Sequence, residues 1–205
     1  RPGCPQHRYW QQLPVDLCRR CAGGCQRPAS LQRHLGSDAR TFAEFQSGNA
    51  TTLVVTADGS AFSVTDDGRG HAIHRTVDGL PYLPFIYTHL EYPYAAGVGG
   101  PVQLHGIGMS LLNALCSELS VSVRKETETL CLTYRDGRLH SEVHTESQKQ
   151  GTGNTVSGRV NSRILPNNIA LDNLRQWLMA VVAANRKLKL LFNGEELKAI
   201  DAGAA

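Results

Sequence analysis

The segment Val64-Thr65-Asp66-Asp67-Gly68-Arg69-Gly70 begins the stretch that decides the fold, and this stretch ends at Leu115. Its other end reads Gln103-Leu104-His105-Gly106-Ile107-Gly108 and continues into the apolar run Met109-Ser110-Leu111-Leu112-Asn113-Ala114-Leu115. Glycines spaced in this way let the backbone approach a ligand closely, and a helix start offers unpaired N–H groups that suit phosphate. The first turn is therefore anionic, whereas the second can receive an anion.

A ligand with a hydrogen-bond-donating base at one end and phosphates at the other would satisfy both turns, and ATP is such a ligand. Three motifs carry a family resemblance in this order: Asp66-Asp67-Gly68-Arg69-Gly70, Asp78-Gly79-Leu80-Pro81, and Leu104-His105-Gly106-Ile107-Gly108 with Asn113-Ala114-Leu115. Together they resemble the ATPase domain of the DNA gyrase B and topoisomerase IV B subunits, in the GHKL ATPase superfamily. A lone Asp-x-Gly-x-Gly turn is common in hairpins, whereas the ordered set is specific.

The resemblance covers about residues 51–197 and implies an α+β fold. This fold is a two-layer GHKL (Bergerat) ATPase sandwich, a mixed and mostly antiparallel sheet with helices on one face. We expect residues 1–34 to be a divergent N-terminal segment and residues 35–205 to be the ATP-binding domain. With 205 residues and 41% hydrophobic content the chain can bury one core. The family's transducer and metal-binding cleavage domains are not expected in it.

Local patterns predict the strands and helices. Alternating residues on either side of a turn at Asp58-Gly59 predict a hairpin over residues 51–65. Apolar residues at helical spacing predict a helix over residues 171–185. The other predicted elements are helices over 35–47, 82–90 and 108–119 and strands over 121–125, 130–134, 139–144 and 188–192.

The resemblance assigns roles at the base end of the ligand. It implies that Asp66 accepts a hydrogen bond from the adenine amino group and that Thr155 supports the same site. Arg69 would lie at the mouth of the pocket beside the base, while Gly68 and Gly70 supply backbone freedom. A plain hairpin-end aspartate is the alternative for Asp66.

The rest of the implied site lines the pocket and holds phosphate. Ile73 matches an apolar pocket position, and Arg135 in Tyr-Arg-Asp-Gly matches an arginine at the pocket rim, with an exposed turn arginine as the equal alternative. The residues that match the phosphate-binding turn are Leu104, His105, Gly106, Ile107 and Gly108.

The family's hydrolytic residues are not found. In the family, the helix before the first strand carries Glu-x-x-Asp-Asn, whose Glu activates water and whose last Asn binds magnesium. When Gly48 is matched to the end of that helix, the Glu position holds Gly36 or Ser37 and the Asn position holds Arg40 or Thr41.

The phosphate-contacting lysine of the family's lid is also missing, since Ala95 occupies its position. Asp38 and Glu44 are the acids near the missing Glu, and a helix N-cap and a solvated helix position are the favoured explanations for them. The catalytic residues are therefore unknown.

Net charge, the lengths of apolar runs and the spacing of the cysteines limit the functions that the chain can have. The net charge of +3 is spread along the chain and gives little support for direct nucleic-acid binding. No apolar run reaches membrane-spanning length, so we expect a cytoplasmic protein without membrane contact. The spacing of the first four cysteines does not give two zinc-binding pairs, so we expect free thiols and no bound metal. The six cysteines are Cys4, Cys18, Cys21, Cys25, Cys116 and Cys131.

Two functions fit these observations. In the first, the chain is the ATP-binding domain of a gyrase B type subunit, whose ATP binding and hydrolysis drive strand passage by a type II topoisomerase. In the second, it is a degenerate GHKL domain that binds nucleotide or another subunit without hydrolysis. The implied cofactors are ATP and Mg²⁺. The implied partners are a nucleotide-dependent second copy and, within a full-length enzyme, DNA and a gyrase A type subunit.

Overall fold

The computed structural model describes residue 45 and residues 47–77, 79–89, 108–146, 148, 151–165 and 169–198. The strands are β1 (Thr52–Ala57), β2 (Ala61–Asp66), β3 (Thr76–Val77), β4 (Leu80–Pro81), β5 (Cys116–Arg124), β6 (Glu128–Arg135), β7 (Arg138–Glu146), β8 (Gly153–Val160), β9 (Lys189–Phe192) and β10 (Glu195–Leu197), and the helices are α1 (Tyr82–Thr88), α2 (Gly108–Leu115) and α3 (Leu171–Ala184). Eight strands form one sheet in the order β10-β9-β1-β2-β8-β5-β6-β7, and β3 pairs with β4. The sheet is mixed because β1 and β9 run parallel, while its other neighbours are antiparallel.

The core lies between one face of the sheet and the helices. In β5, Leu119, Val121 and Val123 are completely buried, whereas the serines between them are only half-buried. The buried side chains of the helices, among them Leu83 of α1 and Leu174 of α3, belong to the same apolar cluster. This alternation gives the sheet one apolar face and one open face that carries mostly serine and threonine. The expected two-layer α+β fold is thereby confirmed.

The first hairpin forms where the sequence predicts it. Strands β1 and β2 pair antiparallel from Leu53 and Asp66 to Ala57 and Phe62. At the turn, the Asp58 carboxylate accepts a hydrogen bond from the backbone N–H of Ala61 at 2.9 Å. The hairpin therefore delivers Asp66 to the end of a central strand, between β1 and β8.

Helix α2 is shorter than predicted. The sequence predicts a helix over residues 108–119, but the helix ends at Leu115 and β5 begins at Cys116. Leu119 already follows the two-residue period of the strand, and pairing with β8 begins at Cys116 opposite Val160. Pairing with β8 therefore decides the boundary, because the apolar residues near it fit either periodicity.

Only the end of the helix predicted over residues 35–47 can be compared with the structure. Phe45 is helical and packs against the core, and the N–H of Gly48 donates to the carbonyl of Phe45 at 2.9 Å with φ of 75° at the glycine. The preceding residues of that helix lie outside the described residues, as do Cys4, Cys18, Cys21 and Cys25. Over the described ranges, no helix has the length and apolar character needed to cross a membrane.

Asn193 fastens the parallel strand β9 to β1. Its backbone N–H donates to the carbonyl of Val55 at 2.9 Å. Its side chain then pairs with Ala57 as a strand would, because Oδ1 accepts the N–H at 2.9 Å and Nδ2 donates to the carbonyl at 3.0 Å. Asn193 has a φ of 48°, a conformation that asparagine tolerates better than most residues. One side chain therefore completes the hydrogen bonding of the end of β1.

We predict that Asn193→Ala lowers the free energy of unfolding by roughly 1 to 3 kcal/mol, because it leaves the polar groups of Ala57 without these partners. Urea denaturation measures this loss. Asp136→Ala is the matched control, since Asp136 also has a left-handed φ, of 46°, but lies in the exposed turn between β6 and β7. An equal loss in both variants would show that backbone strain, and not the pairing with β1, accounts for the effect.

Candidate functional site

Asp66 carries a buried carboxylate at the end of β2. It is 5% exposed. Its Oδ1 accepts hydrogen bonds from the backbone N–H groups of Gly68 at 2.9 Å and Asn154 at 3.3 Å. The side-chain amide of Asn154 donates to both carboxylate oxygens, at 3.4 Å to Oδ1 and 3.1 Å to Oδ2. Because burial of an unpaired carboxylate costs several kcal/mol, these donors make an acid possible at this position.

Asn154 is the second residue of β8 and connects three parts of the site. Its Nδ2 contacts the Asp66 carboxylate, and its Oδ1 accepts a hydrogen bond from the backbone N–H of His71 at 2.9 Å. Asn154 and His71 are both buried. One amide thus holds the carboxylate, strand β8 and the segment after the glycine turn in a fixed arrangement.

The glycine turn itself is held through its carbonyl groups. Lys125 Nζ donates to the carbonyls of Arg69 at 2.8 Å and Gly70 at 2.9 Å, and the Thr152 hydroxyl donates to the carbonyl of Gly68 at 2.7 Å. Gly70 has a φ of 71°, and a Cβ there would lie 2.8 Å from a backbone oxygen at the end of β5. Position 70 therefore requires glycine, both for its backbone conformation and for the close approach of the turn to the sheet.

Asp67, the next residue, has a structural role. Its Oδ1 accepts the backbone N–H groups of Thr51 at 2.7 Å and Thr52 at 2.9 Å, and its Oδ2 accepts the Thr51 hydroxyl. Partial burial favours a higher pKa for Asp67, but the hydrogen bonds from Thr51 and Thr52 outweigh it and hold the pKa below its ordinary value. Asp67 thus fastens the end of β2 to the start of β1, and Asp66 remains the acid that faces the core side.

Thr155, which the resemblance places in support of the adenine site, makes its hydrogen bonds with groups other than the Asp66 carboxylate. Its hydroxyl lies on the open face, 3.1 Å from the Thr65 hydroxyl, and accepts a hydrogen bond from Arg124 Nη1 at 3.0 Å. Asn154 occupies the predicted place because neighbouring residues of a strand point to opposite faces. A sequence signal for this exists, since Gly153-Asn154-Thr155-Val156 fits the family's Gly-Thr-x-Val pattern without an inserted residue.

Arg135 is exposed at the end of β6, as the second of its two equal interpretations, an arginine at an exposed turn, expects. It ends β6 opposite Glu118 of β5, whereas the other end of β5 places Arg124 opposite Gly153, beside Asp66. Arg124 lies six positions along the strand from Glu118, a distance of about 20 Å. Arg135 Nε lies 4.0 Å from Glu118 Oε1, and both side chains are exposed, so this pair contributes little. The basic side chain that reaches the glycine turn is instead Lys125.

The remaining predicted site residues are only partly described. Ile73 is half-buried against the core, which is compatible with an apolar wall. Gly108 begins α2, and no atom of the described residues lies within 4 Å of the position where its Cβ would be. Asn113 anchors this helix, because its Nδ2 donates to the carbonyls of Tyr87 at 2.9 Å and Gly137 at 3.0 Å. The other predicted phosphate-binding residues, Leu104, His105, Gly106 and Ile107, lie outside the described residues.

We predict that Asn154→Ala lowers the free energy of unfolding by roughly 1 to 3 kcal/mol, because a buried carboxylate and a buried N–H lose partners. Asn154→Asp should cost more at pH 7, since it places two carboxylates together, and this extra cost should shrink as the pH falls towards 4 and one of them takes a proton. Denaturation curves at several pH values measure both effects. Ser157→Ala, on the open face of the same strand, is the control; a pH-independent cost of Asn154→Asp would contradict the placement of Asn154.

Comparisons with known proteins identify proteins that are similar to this chain. No family model matches the chain. The DNA gyrase B subunit of Streptococcus pneumoniae is 28% identical over 136 residues, which cover 63% of this chain and 21% of that protein. The DNA gyrase B subunit of Mycobacterium tuberculosis is 33% identical over 130 residues, covering 55% and 17%. The DNA topoisomerase 4 B subunit of Staphylococcus epidermidis is 31% identical over 122 residues, covering 57% and 18%. The match thus spans about a fifth of these relatives.

A solved structure extends the likeness to the fold. The topoisomerase IV ATP-binding domain of Francisella tularensis, in complex with a small-molecule inhibitor, matches with a TM-score of 0.72 and 19% identity. The match covers 92% of this chain and 96% of that one. The chain is therefore similar in sequence to gyrase B and topoisomerase IV B proteins, and similar in fold to a topoisomerase IV ATP-binding domain.

Proposed function

We propose that this chain binds ATP through Asp66, as a domain of the gyrase B type. The observation that carries the proposal is the unequal use of the two carboxylate oxygens. Among the described residues, Oδ1 accepts three hydrogen bonds, whereas Oδ2 accepts one, from Asn154. A carboxylate oxygen has two lone pairs, so Oδ2, with one hydrogen bond, keeps capacity for the amino group of an adenine base.

The phosphate end of the ligand would meet the start of α2. The first N–H groups of a helix lack partners within the helix and attract anions. The first turn of α2 carries no acidic residue, and among the described residues nothing fills the space beside Gly108, so none of them opposes a phosphate there. Gly106, in the turn before this helix, would bring further backbone N–H groups by resemblance.

Magnesium would depend on the nucleotide. Among the described residues, no group of three or more His, Cys, Asp or Glu side chains is arranged to hold a metal ion. The family's magnesium-binding position holds Arg40 or Thr41 in this sequence, outside the described residues. A magnesium ion would therefore be held mainly by the phosphates, whose charge it would neutralise.

Binding without rapid hydrolysis is the activity that we propose for the chain alone. The water-activating and phosphate-contacting positions hold Gly36 or Ser37 and Ala95. What remains can hold base and phosphates but does not favour the transition state over the ground state, and uniform binding does not raise turnover. In a longer protein the domain would serve a type II topoisomerase by closing nucleotide-dependent dimers, with DNA and a gyrase A type subunit as partners. A degenerate, non-hydrolysing interaction module in the cytoplasm is the alternative.

We expect Asp66→Asn to weaken ATP binding about tenfold to a hundredfold, because it removes a charge-assisted hydrogen bond worth roughly 1.5 to 3 kcal/mol. Calorimetric titration with ATP measures the dissociation constant, and thermal unfolding verifies that the variant is folded. Asp67→Asn is the matched control, since the neighbouring carboxylate bonds to Thr51 and Thr52 and should leave affinity unchanged. An unchanged dissociation constant for ATP in the folded Asp66→Asn variant would contradict the proposal.

We further expect steady-state phosphate release to be far slower than that of an intact gyrase B protein. Loss of a general base alone typically costs about 100-fold to 10,000-fold in rate. The assay compares ATP with and without magnesium at concentrations above the dissociation constant. A magnesium-dependent rate at the level of an intact gyrase B protein, abolished by Asp38→Ala or Glu44→Ala, would show that one of these acids activates water.

A further inference from the structure

Arg124 reaches the adenine end of the proposed site from the open face of the sheet. It is the last residue of β5, and its Nη1 donates to the Thr155 hydroxyl at 3.0 Å. Its Nη2 donates to the backbone carbonyl of Asp66 at 3.4 Å. The same Thr155 hydroxyl lies 3.1 Å from that of Thr65, the residue before Asp66. The guanidinium therefore crosses β8 and contacts the end of β2 behind the buried carboxylate.

The Asp66 carbonyl lies where backbone pairing with β8 has ended. The register between β2 and β8 runs from Ala61 opposite Arg159 to Thr65 opposite Thr155, and Asp66 is one residue beyond it. The carbonyl of Asp66 points towards β8, because a Cβ on Gly153 would lie within 2.1 Å of its oxygen. Arg124 thus supplies a donor at the point where the strand ladder no longer does.

Glycine at position 153 makes this contact possible. Gly153 is the cross-strand partner of Arg124, and a Cβ there would also lie 2.9 Å from Nη2. Any side chain at this position would push the guanidinium and the Asp66 peptide apart. Arg124, the Asp66 peptide and β8 can therefore approach this closely only because residue 153 has no side chain.

We propose that Arg124 is a positioning residue that orients the Asp66 peptide, and through it the carboxylate, towards the amino group of an adenine base. This inference rests on the proposed function. Arg124 holds the residue that enters the glycine turn, while the next residue, Lys125, holds the carbonyls of Arg69 and Gly70 that leave it. Two consecutive side chains at the end of β5 thereby fix both ends of the turn. A recognition group must be held to within about 0.5 Å by its supporting contacts, and Arg124 provides such a contact for Asp66.

The test compares ATP with inosine triphosphate, which carries an oxygen in place of the amino group. Arg124→Met keeps the apolar stem and removes the guanidinium. We expect it to weaken ATP binding about tenfold and to leave inosine triphosphate binding nearly unchanged, so that the preference for ATP falls by the same factor. Arg124→Lys should restore part of the preference, because an ammonium group can still donate to the carbonyl.

Arg159→Met is the matched control. Arg159 is also an open-face arginine, on β8, but its Nη1 donates to the Ser60 hydroxyl at 2.9 Å, at the other end of the hairpin. Neither dissociation constant should change in this variant. If Arg124→Met does not fold, Arg124→Gln and Arg124→Lys are measured in its place against the same two ligands.

The outcomes separate this inference from the proposed function. Equal weakening of both nucleotides by Arg124→Met would mean a merely structural role and would overturn the inference, as would an unchanged preference. If Asp66→Asn lowers the preference for ATP and Arg124→Met does not, only the role of Arg124 is wrong. If Asp66→Asn also leaves the preference unchanged, the assignment of the site itself fails.

Discussion

A carboxylate can be buried only where hydrogen-bond donors replace the water that it loses, and the arrangement around Asp66 follows from this constraint. The donors come from two places far apart in sequence, the glycine turn and the start of β8. Strand β2, strand β8 and the turn must therefore meet in one register. A shift of a single residue would place Thr155 against the carboxylate and Asn154 on the open face.

The two adjacent acids at the end of β2 divide two tasks between them. Asp67 points away from the core side and holds the start of β1 through Thr51 and Thr52. Asp66 points inward and keeps acceptor capacity at Oδ2. Because Asp67 already joins the strands, Asp66 can serve a ligand without also being responsible for the closure of the hairpin. Recognition and local stability are thus assigned to different carboxylates.

The sequence predicts those parts of the fold that depend on local signals. The hairpin of β1 and β2 follows from alternation and from Asp58-Gly59, and α3 follows from its apolar period. The end of α2 does not, because the residues after Leu115 fit a helix or a strand until β8 pairs with them. Arg135 ends β6 and Lys125 follows β5, so each lies beside a turn, and only the pairing of β5 with β8 decides which of them meets the glycine turn. Long-range register is the information that a single sequence lacks.

The parallel pairing of β1 with β9 has a consequence for how the chain folds. Asn193, the hydrogen-bond partner of Ala57, lies 136 positions later in the chain. The edge of β1 that pairs with β9 therefore has no partner until almost all of the domain has been synthesised. At ribosomal speeds this interval is on the order of ten seconds, and contacts of such high sequence separation also form slowly in the free chain. During that time the edge of β1, with Leu53 and Val55, can pair with another chain.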